Sequence, residues 1–237
     1  MPPFTANLIA LVALALSVAL AARLWSRSRA LPAGYHAELA WLRAGLYFGA
    51  CWLVSWAAGV LPALLDNPLA FPEQLTDPGW LAFTALCFAV EIVGYYVIWP
   101  RGTLTHGRAL HWPSVIAFGL LWGVSEGQLF LSVWAVAERF IPSRALVAVV
   151  TFVVLAAFIG LWHALVWDIH VAPAHNIAEW NARKVLFAHI PNLVCTLAYL
   201  ATYGNGGMFV LFQTVALLGS TYFMRFPPFT TNTPAVV

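Results

Sequence analysis

Apolar residues fill this chain in long blocks that polar residues interrupt only at wide intervals. Blocks long enough to cross a hydrocarbon core of about 30 Å at 1.5 Å per helical residue run over roughly residues 5–24, 41–62, 80–99, 113–136, 145–166, 185–203 and 207–225. The pattern predicts an all-α integral membrane protein: a single bundle of about seven transmembrane helices. No internal repeat or low-complexity segment divides the blocks. Residues 1–225 therefore read as one transmembrane domain, and residues 226–237 as a short Pro- and Thr-rich tail without helical periodicity.

Composition closes off the soluble classes. The 237 residues are 62% hydrophobic and 8% charged, against about a quarter charged in a soluble domain. The few charges carry orientation. Arg23, Arg27, Arg29 and Arg43 follow the first block, Arg101 and Arg108 the third, Arg183 and Lys184 the fifth, and Arg225 the last; the alternate linkers hold only Arg139 and Arg144. Short basic loops stay in the cytoplasm, which predicts an outside N-terminus and a cytoplasmic C-terminus in the cell membrane. The basic cluster follows the first block and no positive charge precedes it, so that block reads as a retained span, not a cleaved signal.

The remaining composition adds partners more than chemistry. The acidic, proline-bearing linker "LDNPLAFPEQLTDPG" (65–79) reads as an extracytoplasmic connector. Trp25, Trp41, Trp80, Trp112, Trp162, Trp167 and Trp180 lie near block ends and read as headgroup-level anchors. A basic cytoplasmic face suits membrane lipids with anionic heads, and no nucleic-acid motif is present. Cys51, Cys87 and Cys195 stand singly inside blocks and read as small buried hydrophobes.

Ionisable groups inside the blocks point to chemistry, because a charge at the bilayer centre costs at least about 2.5 kcal/mol. Glu91, in "CFAVEIVGYY", lies roughly 12 Å from the cytoplasmic end of its span. Tyr95 falls one helical turn later, where an α-helix would let it donate to that carboxylate. Glu126, in "WGVSEGQLF", sits mid-span beside Ser125 and Gln128, and Gly123 and Gly127 are spaced to let another helix approach. A carboxyl held at either position can give or take a proton.

Scarce polar residues also collect around the link between the fifth and sixth blocks. "HALVWDIHVAPAHN" (163–176) is followed by the capping pattern "NIAE" (176–179), which predicts the start of the sixth helix. His163, Asp168, His170 and His175 remain, and His189 and Asn192 follow at the cytoplasmic third of the next span, level with Glu91. Asp168 can fix a histidine tautomer. Alternatively His163, His170, His175 and His189 hold Zn or Fe, with His106 and His111 on the same side; no HExxH spacing is present.

"YGNGG" (203–207) reads as a tight turn and not as a phosphate loop. The single lysine, Lys184, lies outside the final block, which excludes a retinal Schiff base in that span. In size and helix count the chain is similar to the small seven-helix terpene cyclases, which also use buried carboxylates. Its final span, "GMFVLFQTVALLGSTYFMRF", departs from that pattern by holding no carboxylate. The expectation is an intramembrane enzyme acting on a hydrophobic small molecule such as an isoprenoid, quinone or acyl lipid. Glu91, Glu126, His163 and Asp168 are its candidate catalytic residues, and Tyr95, Gln128, His189 and Asn192 its candidate binding residues. The alternatives are a metal-dependent oxidoreductase or hydrolase, and a non-catalytic carrier or lipid-binding protein.

Overall fold

A computed structural model describes residues 2–28, 34–35, 37–66, 72–101, 110–162, 182–224 and 233–234. Its helices are α1 (Pro2–Ser28), α2 (Ala37–Ala57), α3 (Val60–Asp66), α4 (Pro78–Ile98), α5 (Trp112–Glu138), α6 (Arg144–Trp162), α7 (Ala182–Tyr203) and α8 (Gly206–Met224). Six of them are long and apolar enough to cross a membrane. α2 and α3 make a further crossing if their 81° bend is counted as one broken span.

That bend corrects the continuous span expected over 41–62. Gly59 adopts a left-handed φ of 81°, a conformation that costs glycine little, and Pro62 supplies no amide hydrogen to the turn that follows. The Arg139 guanidinium donates to the Ala58 carbonyl at 2.6 Å, satisfying a group that the end of α2 would otherwise leave open.

α5 and α8 form the centre, and they make the most extensive helix contact in the bundle. Gly119, Gly123 and Gly127 face Leu218, Thr214 and Val210, so close that a side chain at Gly123 would overlap the backbone of Thr214. Van der Waals contact of this kind holds helices together in lipid, where burying apolar surface gains nothing. α1 lies at the periphery, with Leu8, Leu11, Leu14 and Val18 exposed along it, as expected of a face that meets lipid chains.

Four buried hydroxyls bond to carbonyls one turn back in their own helices. Ser132 donates to the Gln128 carbonyl, Thr196 to Asn192, Thr214 to Val210 and Thr221 to Leu217. These residues therefore need no partner from lipid. Trp80, near the N-terminus of α4, is buried in a cluster with Tyr199, Met208 and Phe212. Thr233–Pro234, in the Pro- and Thr-rich tail, is extended and pairs antiparallel with Gly34–Tyr35.

Candidate functional site

Two π-helical turns build the site. In α4 the turn spans Val93–Ile98, and Trp99 N–H donates to the Gly94 carbonyl at 2.9 Å, five residues back. In α7 it spans Val185–His189 and ends two residues before Pro191, which has no amide hydrogen to give to an α-helical ladder. The two turns pack together where Gly94 meets Ala188: a β-carbon on Gly94 would lie 3.2 Å from the Ala188 Cα.

The wider turn in α4 changes one expected contact. An α-helical count puts Tyr95 over Glu91, and in the structure Tyr95 lies within the π turn. Its hydroxyl hydrogen-bonds instead to His189 Nδ1 at 2.9 Å. Trp99 stacks on Tyr95 with ring centroids 5.7 Å apart and meets the His189 ring edge-on at 5.1 Å. The ammonium of Lys184, fully buried, sits 4.5 Å over Trp99, within cation–π range.

A second network runs deeper. Glu91 is fully buried, and its Oε2 accepts from Asn192 Nδ2 at 2.8 Å. Asn192 Oδ1 in turn accepts from Gln213 Nε2 at 2.9 Å, and the same amide donates to Thr196 Oγ1 at 3.2 Å. Each link fixes the next, so the carboxylate orients an amide chain that crosses from α4 through α7 to α8.

Both networks border one cavity of about 40 Å³, lined by Tyr95, Trp99, Glu126, His189, Asn192 and Gln213 among others. That volume holds roughly two or three water molecules. Glu126 is 8% exposed and its Oε2 has no hydrogen-bond partner among the described residues; the same holds for Glu91 Oε1. Glu126 lines the cavity, whereas Glu91 stands behind it, hydrogen-bonded to Asn192.

The candidate residues divide as follows. Tyr95, Glu126, His189 and Asn192, read from separate parts of the sequence, border the one cavity, with Glu91 a hydrogen bond behind it. Gln128 is buried and accepts from Ser55 Oγ at 2.9 Å, away from the lining. His163, Asp168, His170, His175 and the "NIAE" capping pattern lie outside the described residues, as does His106. Among the described residues, no three His, Cys, Asp or Glu side chains come together in a metal-binding group. His111 caps α5, its Nδ1 lying 2.8 Å from Ser114 Oγ.

Sequence reasoning missed Trp99, Gln213 and the meeting of Cys87 with Cys195, whose sulfurs lie 3.3 Å apart across α4 and α7. Gln213 carried a usable signal, a side-chain amide in mid-span, which is costly in lipid. The sulfur contact carried none, since 108 residues separate the two positions. Comparison with family models, curated proteins and solved structures finds no match to the chain, and the site is read from its own geometry.

Proposed function

We propose that this chain is a seven-span enzyme of the cell membrane, N-terminus outside and C-terminus cytoplasmic, in which residues 1–225 form the catalytic domain. It performs acid–base chemistry on a lipid-soluble substrate. The backbone pairing of Gly34–Tyr35 with Thr233–Pro234 supports the topology, because both segments must lie on one side of the membrane. An even number of crossings between them follows only if α2 with α3 counts as one broken span.

The observation that carries the chemistry is Glu126: a carboxyl in mid-bundle that lines a cavity of about 40 Å³ and has one oxygen without a hydrogen-bond partner among the described residues. Packing alone gives no reason to keep so costly a group there. Glu126 is the proton donor or acceptor. Tyr95 and His189, already sharing a hydrogen bond, grip the polar end of the substrate and can pass a proton between them. Glu91 holds Asn192, and through it Gln213, in position. A cavity of this size takes the reacting atoms and not the chain, so the hydrocarbon part of an isoprenoid, quinone or acyl lipid stays in the bilayer. His163 and Asp168, in the link from α6 to α7, complete the proposed set on the sequence reading.

In a host lacking the chromosomal copy, wild-type protein restores a lipid species visible by mass spectrometry of total extracts, and Glu126→Gln and Glu91→Gln do not. Restoration by Glu126→Gln contradicts the assignment. A second reading, a proton-coupled carrier, draws on the same unpartnered oxygen, which can load and release a proton in mid-membrane. Proton-dependent uptake into vesicles that Glu126→Gln abolishes, with an unchanged lipid profile, favours it over the enzyme.

A further inference from the structure

Cys87 and Cys195 do what single buried cysteines do not: they put two thiol sulfurs 3.3 Å apart, on helices remote in sequence. Cys51, the third cysteine, is buried with no second sulfur beside it among the described residues. Cys87 is fully buried, whereas Cys195 is partly exposed. Both cysteines lie inside helices long and apolar enough to cross a membrane, so the exposed part of Cys195 belongs to a membrane-spanning segment. Phe83, Phe88, Tyr199 and Phe212 surround the pair.

From this placement we infer that Cys87 and Cys195 form a redox-active dithiol oxidised by a lipid-soluble quinone. An oxidant reaching Cys195 must dissolve in the bilayer, pack against aromatic rings, and accept two electrons with two protons; the quinone class meets all three conditions. In the step, the Cys195 sulfur adds to the quinone ring and its proton passes to one ring oxygen. The Cys87 sulfur then attacks the Cys195 sulfur. The sulfur–sulfur bond forms as the sulfur–carbon bond breaks, the released pair stays with the ring, and the Cys87 proton reaches the second ring oxygen. Dithiol and quinone become disulfide and quinol. Closing from 3.3 Å to a bond of about 2.05 Å needs a helix shift of about 1 Å, within the ordinary range of packed helices.

Cys87 lies one turn before Glu91 on α4, and Cys195 one turn after Asn192 on α7. Disulfide formation would draw the two helices together beside the hydrogen bond that orients the amide chain, coupling the oxidation state of the pair to the cavity. The reaction goes beyond the carboxylate reading and does not require it.

The test uses the full chain, reduced and freed of reductant in phospholipid nanodiscs, mixed with decylubiquinone. The expected result is one quinol per chain, loss of two alkylatable thiols, and a cross-linked Cys87–Cys195 peptide pair, with Cys51 still alkylated. Cys87→Ser and Cys195→Ser each abolish the quinol; Cys87→Ala and Cys195→Ala serve if the serine forms do not accumulate. Glu126→Gln gives the wild-type yield, which separates this reaction from the proposed acid–base function. Three free thiols remaining after quinone treatment, or equal quinol from the doubly substituted protein, overturns the proposal.

Discussion

Two polar seams cross the bundle, and they end differently. Between α2 and α5, Trp52 Nε1 donates to Ser125 Oγ at 2.8 Å and Ser55 Oγ donates to Gln128 Oε1 at 2.9 Å. These are short neutral contacts, each joining one side chain to one partner. Among α4, α7 and α8 the seam starts at a carboxylate and passes through two amides, and among the described residues Glu91 Oε1, like Glu126 Oε2 on α5 at the same cavity, has no partner. A seam that satisfies itself serves as adhesive between helices. One that leaves costly groups over is poised to receive something else, and only the second seam borders the cavity.

The sharpest way to break this distinction is Asn192→Leu. It removes the donor to Glu91 and the acceptor of Gln213 together, and leaving a buried acceptor bare costs about 1–3 kcal/mol, more for a charged one. Thermal unfolding in detergent should fall accordingly, and the Glu91→Leu, Asn192→Leu double variant should recover part of the loss without recovering function. A single variant as stable as wild type means that the Glu91 contact adds nothing to stability.

Gly123→Val should cost about 1–3 kcal/mol, because the added side chain meets the backbone of α8. It parts α5 from α8 while leaving the α2–α5 seam intact, so activity should fall even where the protein still folds. Tyr95→Phe removes one hydrogen bond, worth about 0.6 kcal/mol in membrane proteins. Its effect should lie in the environment of His189, read as a shift of that ring's NMR signals, with little change in stability. The smallest effect belongs to Ser55→Ala with Gln128→Leu: both partners go at once, which is close to neutral, and function should persist. Loss of function there would move Gln128 from the adhesive seam into the site.

Much of the architecture was legible because bilayer thickness dictates block length, so apolar runs translate directly into helices. The bend at Gly59 was not legible, since a single glycine in an apolar run marks a break only once its φ is known. The site was half legible. The cost of burying Glu91 and Glu126 singled them out, and His189 and Asn192 were found from their depth. Rotation was hidden: an α-helical count pairs Tyr95 with Glu91, whereas its hydroxyl bonds to His189 from within a π turn. The Cys87–Cys195 contact depends on how α4 faces α7, which no local pattern encodes.

The central claim is that Glu126 moves protons to or from a lipid. Native membranes incubated in deuterium oxide test it most directly, with lipids analysed by mass spectrometry after exchangeable deuterium is washed out. The account predicts one lipid carrying carbon-bound deuterium in wild type and in Ser55→Ala, Gln128→Leu, but not in Glu126→Gln. Labelling that survives Glu126→Gln, or no labelled lipid in wild type, contradicts it.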